Sequence, residues 1–257
     1  MEKLNRDELF SLAIHLDAPA LLNFCRTNKH FLKICAREEI WNYRLIKDFP
    51  DYKLLNVKNK SKKEIYQLLY GLVDFKTKLK RKETIYELYN LQELSLYSND
   101  LTGIPASLGN LVNLQILDLS RNKLTEIPTS LGNLINLLEL HLSRNELTEI
   151  PTSLGKLVNL QILDLADNNL TEIPASLGNL VNLQALYLSG NKLAEIPASL
   201  GRLTKLRTFY LYSNVLKEIP ASLDNLVDLQ FLDLTYNKLT EQEKTRMKQQ
   251  YGNKVEI

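Results

Sequence analysis

Residues 160–170 read LQILDLADNNL, and the frame of this stretch, Leu-x-x-Leu-x-Leu-x-x-Asn-x-Leu, recurs every 23 residues along most of the chain. The fixed asparagine forms a ladder of seven positions: Asn99, Asn122, Asn145, Asn168, Asn191, Asn214 and Asn237. The first six units continue into Ile-Pro-x-Ser-Leu. A period of this length indicates a repeat architecture in which each unit packs mainly on its neighbours.

Each unit predicts one short strand. Leu163 and Leu165 point to one side and Ile162 and Asp164 to the other, which is the alternation of a strand with one solvated face. The equal spacing of the units requires successive strands to run parallel, about 4.8 Å apart. We predict a helical or 3₁₀ turn on the far side of each unit, which begins at a proline and ends at a glycine. The prolines are Pro105, Pro128, Pro151, Pro174, Pro197 and Pro220, and the glycines are Gly109, Gly132, Gly155, Gly178 and Gly201.

The ladder asparagines are predicted to be structural rather than functional. Inside a turn the backbone amides and carbonyls lose water without gaining a strand partner. A side-chain amide offers these groups two donors and an acceptor, so it can bond to them along the stack. Function is then expected in the strand positions that vary from unit to unit.

The 23-residue period with its Ile-Pro-x-Ser-Leu-Gly-Asn-Leu segment resembles the intracellular Ras-group class of leucine-rich repeats. The resemblance implies an α/β fold: a curved leucine-rich-repeat solenoid over residues 88–239, with a parallel sheet on its concave face, where this family usually binds proteins. Thr240 and Glu243 have the spacing of a capping box, so residues 240–257 are predicted to form a closing helix and tail, with a last short strand at residues 254–257.

Residues 1–87 are predicted to be all helical. Leu9, Leu12 and Leu16 have the spacing of an amphipathic helix, and Ser61 with Glu64 forms a capping box that opens a later helix. We expect a helical domain over residues 1–50, followed by a helical linker and amino-terminal cap of the stack over residues 51–87.

The order of residues from Leu4 to Trp41 resembles an F-box, the helical module with which substrate adaptors of cullin-type ubiquitin ligases bind the linker protein Skp1. The family's opening Leu-Pro is Leu4-Asn5 here, which leaves the start of the first helix less rigid. The resemblance implies that the Skp1 contacts are Leu4, Leu9, Leu12, Leu16 and Leu21. The wider layout resembles F-box and leucine-rich-repeat proteins encoded by large DNA viruses of amoebae. In the alternative interpretation these helices only cap the exposed end of the stack.

Charge and composition narrow the class of protein. Residues 1–90 carry 18 Lys/Arg against 12 Asp/Glu, whereas residues 91–257 carry 14 against 18, so a nucleic-acid partner of the repeats is not expected. The amino terminus lacks a signal-peptide core, and no apolar run approaches membrane-spanning length, so we expect a cytoplasmic monomer, in the host cell if the protein is viral.

The two cysteines, Cys25 and Cys35, are expected to be buried thiols in a reducing compartment, since Cys-x9-Cys is only half of a coiled-helix disulfide motif.

The variable strand positions give the candidate binding face. Aromatic residues gather in the late units, and charged residues lie earlier. The predicted face consists of Tyr187, Tyr210, Tyr212, Phe231 and Tyr236 with Asp118, His141, Asp164, Asp167, Arg121 and Arg144. Tyrosine is a frequent interface anchor, so the aromatic end is the predicted partner site and the carboxylates set its charge preference. The competing explanation is that strands accept aromatic residues for their β-propensity alone.

No catalytic, metal or cofactor motif accompanies this face. The three histidines, His15, His30 and His141, have no ligand spacing. His141 with Asp164 and Asp167 would lie on an open surface without an enclosing pocket. The sequence therefore predicts a non-enzymatic adaptor in which the F-box-like helices bind Skp1 and the repeats capture a target protein, or alternatively a protein-binding scaffold with a helical cap.

Overall fold

The computed structural model describes residues 6–27, 29–55, 57 and 60–257, with side chains described except at residues 6, 7, 27 and 29–31. Leu4 and Asn5, on which part of the F-box prediction rests, lie outside the described residues. The chain divides into two compact units, Met1–Tyr89 and Asn90–Ile257.

The first unit is helical. Its helices are α1 Arg6–His15, α2 Ala18–Thr27, α3 Lys29–Cys35, α4 Glu38–Asp48, α5 Lys62–Lys78 and α6 Ile85–Tyr89. Asp17 starts α2 by accepting a hydrogen bond from the Ala20 amide at 2.8 Å. The capping box predicted at Ser61 and Glu64 is confirmed, since each side chain bonds to the other residue's backbone amide at the start of α5.

A buried arginine joins α4 to α5 in this unit. Arg44 is 4% exposed and donates to the Leu16 carbonyl oxygen at 2.7 Å and to the Tyr66 hydroxyl at 3.0 Å. It also pairs with Asp48 at 2.6 Å, and the same carboxylate accepts from Tyr66 at 2.7 Å. Burial, together with the hydrogen bond to Asp48, raises the pKa of Tyr66 to about 12. A buried charge needs such partners, because an unpaired one is strongly destabilising.

The prediction for the two cysteines is wrong. Cys25 of α2 and Cys35 of α3 form a disulfide, with their Cα atoms 5.7 Å apart. Both residues are buried, as expected, but the packing of α2 against α3 brings their side chains within bonding distance. The sequence placed each cysteine on an apolar helical face without fixing the angle between the two helices.

The second unit is a parallel sheet of eight strands in chain order. The strands are β1 Glu93–Ser95, β2 Ile116–Asp118, β3 Glu139–His141, β4 Ile162–Asp164, β5 Ala185–Tyr187, β6 Thr208–Tyr210, β7 Phe231–Asp233 and β8 Val255–Glu256. From β1 to β7 the register advances by one repeat, so that Leu163 pairs with Leu140 on one side and Leu186 on the other. The predicted α/β solenoid is thereby confirmed, and its final short strand is β8.

A 3₁₀ turn follows the proline in each of the first six repeats. The turns are Ala106–Asn110, Thr129–Asn133, Thr152–Lys156, Ala175–Asn179, Ala198–Arg202 and Ala221–Asn225. Each proline lies just before its turn in extended backbone, where its missing amide hydrogen does no harm. The core lies between these turns and the sheet and consists mainly of leucines, with Phe209 as a fully buried replacement in the sixth unit.

The repeat glycines have a different role from the one predicted. They do not adopt the left-handed conformation that ends helices. Instead, a Cβ atom built at Gly155 would lie 2.9 Å from the carbonyl carbon of Ser176 in the next turn, far inside normal contact. The other four glycines meet the following serine in the same way. Glycine is therefore required because neighbouring turns approach each other at the backbone.

The closing helix explains why the sixth unit departs from this rule. Asp224 stands in the glycine position of the last turn, where no further 3₁₀ turn stacks, and its carboxylate faces Arg246 at 3.3 Å. Arg246 belongs to α7, Glu241–Tyr251, and also donates to the Ile219 carbonyl oxygen at 2.6 Å. Glu243 forms only half of the predicted capping box, because its side chain accepts from the Ile219 amide instead of the Thr240 amide.

Candidate functional site: the open sheet face

Strand alternation separates a buried from an open side of the sheet. In β2 to β6 the middle residue of each strand is buried and its two neighbours are partly accessible. We define the open sheet face as the residues six, four, two and one positions before each ladder asparagine. All eleven residues of the predicted binding face belong to this set.

Three aromatic rings form a stack on the open sheet face. Tyr187 and Tyr210 are register partners on β5 and β6, with their ring centroids 5.3 Å apart and their planes inclined by 12°. Phe231 on β7 extends the stack, with its centroid 5.1 Å from that of Tyr210 at an angle of 49°. Burial raises the pKa of the Tyr187 hydroxyl, with smaller contributions from Tyr210 and the Asp164 carboxylate beside it. Cross-strand aromatic pairs of this kind stabilise a sheet as well as forming a surface.

Tyr212 and Tyr236 extend the aromatic end toward the turns that follow the strands. Tyr212 is 39% exposed and Tyr236 is 84% exposed. Among the described aromatic contacts, these two rings stand apart from the three-ring stack. The structure therefore divides the predicted aromatic cluster into a half-buried stack and two exposed rings beside it.

The strand carboxylates bond to their own backbone. Asp118 and Asp164 each accept a hydrogen bond from the amide two residues ahead, at 2.9 and 3.0 Å. Asp233 accepts from both the amide and the hydroxyl of Thr235, at 2.9 and 2.7 Å. These bonds use one oxygen of each carboxylate, so the aspartates also stabilise the ends of their strands, which strand alternation alone does not predict.

The structure does not assemble a catalytic group from His141, Asp164 and Asp167. His141 lies 3.2 Å from Glu139 on its own strand, whereas Asp167 pairs with Arg144 at 3.4 Å. Arg121 lies over the ring of Tyr97, 5.6 Å from its centroid. The sequence contained Tyr97 in the column two before each asparagine, but not its contact with Arg121, which depends on the side-chain conformation across two strands.

The residue before each ladder asparagine is left-handed in every unit. Its φ lies between 53° and 56° at Ser98, Arg121, Arg144, Asp167, Ser213 and Tyr236, and is 65° at Gly190. This conformation is unfavourable for residues with a Cβ atom, so the surrounding bonds must hold it. At Gly190 a Cβ would also collide with the Asp167 carboxylate, so glycine leaves room for that side chain.

The ladder asparagines supply those bonds. The Oδ1 of Asn168 accepts from the Leu147 amide at 3.1 Å, and its Nδ2 donates to the carbonyl oxygens of Leu142, Leu165 and Ala166 at 3.0 to 3.2 Å. Asn122, Asn145, Asn191 and Asn214 repeat this arrangement and are also buried. Each amide thus ties its own turn to the preceding one.

A second amide ladder runs along the other end of the strands. The Nδ2 atoms of Asn136, Asn159 and Asn182 each donate to a carbonyl oxygen 24 residues earlier, at 2.8 to 2.9 Å. Its sequence signal was the asparagine two residues after Leu-Gly-x-Leu, repeated at the same 23-residue period. This ladder is exposed, and it lies beside partly exposed apolar residues such as Ile135 and Val158.

The predicted Skp1 contacts have different environments in the helical unit. Leu9 and Leu21 are buried in its core, whereas Leu12 is 41% exposed and Leu16 is partly accessible. Leu4 lies outside the described residues. A partner that binds this unit as it stands would therefore contact Leu12 and Leu16, and Leu9 and Leu21 would support them from below.

Metal-binding clusters and membrane-spanning helices are both absent from residues 6–27, 29–55, 57 and 60–257. Within these ranges no group of three or more His, Cys, Asp or Glu side chains is arranged to hold a metal ion. No helix in the same part of the chain combines the length and apolar character needed to cross a membrane. The helical unit contains a cleft of about 250 Å³ lined by Phe49, Tyr52 and Leu69 among others.

Comparison with known proteins identifies the repeats. A family profile described as a leucine-rich repeat region matches residues 72–166 and 148–251. A solved leucine-rich repeat protein of Leptospira interrogans is 32% identical, with a TM-score of 0.55, over 66% of this chain and 50% of that one. An internalin of Listeria monocytogenes is 25% identical, with a TM-score of 0.57, over 66% of this chain and 51% of its own.

A solved TDR receptor is 33% identical, with a TM-score of 0.53, over 58% of this chain and 27% of that one. This chain thus spans about half the length of the first two solved proteins. No curated protein matches it.

Proposed function

We propose that this chain, which belongs to the leucine-rich repeat family, is a non-enzymatic adaptor. In this proposal its open sheet face captures a target protein and its helical unit docks on Skp1. The three-ring stack of Tyr187, Tyr210 and Phe231 is the observation that carries the proposal. The face binds its target with the aromatic end as the anchor, and the target is passed to a cullin-type ubiquitin ligase. The resemblance to F-box and leucine-rich-repeat proteins of large amoebal viruses implies an adaptor in which a helical unit precedes the repeats.

Physical reasons support target capture at the stack. Aromatic side chains bring large contact area with few rotatable bonds, and they dominate the energetics of interfaces. Tyr187 and Tyr210 already hold each other in place, so little side-chain entropy is lost when a partner covers them. Tyr212 and Tyr236 stand beside the stack with accessible rings and hydroxyls that can bond to a partner.

Docking on Skp1 rests on the F-box resemblance together with the exposure of Leu12. An apolar side chain that stays 41% exposed on α1 is free to enter a partner's apolar pocket. In the alternative function the helices only cap the stack and the chain is a scaffold. In that case the open sheet face still binds a protein, but the chain takes no part in ubiquitin transfer.

Binding to purified Skp1 distinguishes the two functions. We expect the wild-type chain to bind and Leu12→Asp to lose binding while keeping its helical circular dichroism. Leu9→Asp is unsuitable as a loss variant because Leu9 is buried and a carboxylate there would unfold the unit. The matched control is Ile135→Asp, an exposed apolar residue of the repeats. A folded wild-type chain that ignores Skp1 would leave the scaffold as the function.

Target capture is tested separately on the face. The triple variant Tyr187→Ala, Tyr210→Ala, Tyr212→Ala should lose the proteins that the immobilised wild-type chain retains from host extract. Its control is a triple alanine variant of exposed apolar residues away from the face, at Ile135, Val158 and Val181. If both triple variants retain the same proteins as wild type, the open sheet face is not the capture site.

An adaptor of ubiquitin ligases works in the cytoplasm, and we propose that location and a monomeric state. The Cys25–Cys35 disulfide bears on this proposal, because cytosolic thiols are kept reduced. Alkylation of the chain in intact cells, followed by mass spectrometry, should find both cysteines as thiols if the chain resides there. A disulfide recovered from intact cells would contradict the cytoplasmic location.

A further inference from the structure

The open sheet face is acidic and has no lysine. Its columns in β1 to β7 contain the carboxylates Glu93, Asp118, Glu139, Asp164, Asp167 and Asp233, against the two arginines Arg121 and Arg144 and one histidine. The whole chain, by contrast, carries 32 Lys and Arg against 30 Asp and Glu. The basic residues are thus distributed elsewhere, and the face attracts positive charge.

Both arginines of the face are already engaged, and both lie in the early repeats. Arg121 covers the Tyr97 ring and Arg144 pairs with Asp167. From β5 to β7 the face columns contain aromatic, small and hydroxyl residues and Asp233, with no cation. The aromatic stack is therefore the part of the face where rings are available and no internal cation occupies them.

Acidic groups flank the stack along its strand column. Asp164 on β4 is the register partner of Tyr187, and Asp233 on β7 is the register partner of Tyr210. Asp233 is buried and bonded to Thr235, so Asp164 is the more accessible carboxylate beside the rings. An apolar partner would have to strip water from this carboxylate without compensating it, whereas a cation would gain from both the carboxylate and the ring faces.

We propose that the stack of Tyr187, Tyr210 and Phe231, with Asp164 beside it, holds an arginine side chain from a basic segment of the partner protein. A guanidinium group is planar and weakly hydrated, so it can lie against a tyrosine ring while donating to a carboxylate. A lysine ammonium is more strongly hydrated and makes a weaker contact of this kind. The inference rests on the proposed function of the face and specifies the chemistry of its partner.

The probe is a fluorescein-labelled, acetylated peptide of four Gly-Ser-Arg repeats, titrated into the full chain by fluorescence anisotropy. Matched peptides carry lysine, citrulline or glutamate in place of arginine. We expect the arginine peptide to bind about 10-fold tighter than the citrulline peptide, since each contact of this kind is worth roughly one to two kilocalories per mole. The lysine peptide should fall between them, and the preference should shrink as salt rises.

Variants locate the binding site of the peptide. Tyr187, the ring beside Asp164, is the one to change: Tyr187→Leu should weaken the arginine peptide about 10-fold, whereas Tyr187→Phe keeps the ring and should bind it more tightly than Tyr187→Leu does. Asp164→Asn should weaken it about 3-fold and reduce its salt dependence. The control Tyr43→Leu removes an exposed tyrosine from α4 and should leave binding unchanged.

The inference is overturned if the citrulline peptide binds as tightly as the arginine peptide, or if Tyr187→Leu and Asp164→Asn bind like wild type. Failure of the proposed function is measured in a separate experiment, where the triple tyrosine variant would capture the same target proteins as the wild type. A chain that captures its target through the tyrosines but does not distinguish arginine from citrulline keeps the proposed function and loses this inference.

Discussion

Replacing one central ladder asparagine should destabilise the repeats far more than replacing its neighbour. Asn168 is buried and offers one acceptor and two donor hydrogens to four backbone groups, two of which, on Leu142 and Leu147, belong to the preceding repeat. Asn169, by contrast, is partly accessible, and its side-chain oxygen accepts a hydrogen bond from Lys192 at 2.8 Å. The pair therefore compares the same chemical change in two environments.

The magnitude follows from the bonds that are lost. The four contacts share two donor hydrogens and one acceptor atom, so they count as three hydrogen bonds of about 1 kcal/mol each. With the buried Leu147 amide left unpaired, Asn168→Ala should lower the free energy of unfolding by about 2–4 kcal/mol. Asn169→Ala should cost less than about 0.5 kcal/mol, the usual value for surface sites. Urea titration followed by circular dichroism measures both changes. Hydrogen exchange should also show faster exchange of the Leu147 amide in Asn168→Ala.

A third variant tests whether the side chain at position 168 must donate hydrogen bonds as well as accept one. Asn168→Asp keeps an acceptor for the Leu147 amide but turns a negative charge toward three carbonyl oxygens. The introduced carboxyl should resist ionisation in the folded chain, so its folded pKa lies above the unfolded value of about 3.9. Stability of this variant should then decrease as the pH rises above about 4. Equal stability of Asn168→Ala and Asn169→Ala, or unchanged exchange at Leu147, would refute the assigned role of the ladder.

Three other substitutions test the repeat contacts, the closing helix and the helical core. Gly155→Ala should cost about 1–3 kcal/mol by forcing neighbouring turns apart, whereas Gly103→Ala, with open space around its Cβ, should be neutral in the same urea titration. The hydrogen bond from Arg246 lowers the pKa of Glu243 despite its partial burial, so this carboxylate stabilises the fold above its unfolded pKa and the contribution is lost as the pH falls. Thermal melts between pH 3 and 7 should show a smaller acid loss for Glu243→Gln than for wild type. Tyr66→Phe removes one buried and one partly buried hydrogen bond and should lower the free energy of unfolding by about 1–3 kcal/mol. An unchanged urea midpoint would contradict the assigned contacts of Tyr66 with Arg44 and Asp48.

In the helical unit, residue spacing predicted features of single helices but not the contacts between helices. The stripe of Leu9, Leu12 and Leu16 and the Ser61 capping box depend on residues within two or three turns of one helix, so spacing alone predicted them. Which leucines stay exposed, and that Cys25 meets Cys35, depends on the angles between helices. Those angles result from the packing of many side chains at once, and no local pattern contains them.

The sequence by itself determined the repeat period, the parallel register, the leucine core and the positions of the asparagine ladder, because a fixed 23-residue spacing brings equivalent residues side by side. The tertiary structure alone decided which side chains meet across strands: Tyr187 stacks on Tyr210, and Arg144 turns to Asp167. It also decided why Gly155 must be glycine, through the backbone of the next turn. The physical reason is that a period fixes where each Cα lies along the stack, whereas rotamers, ring angles and close approaches are set only when neighbouring repeats pack together.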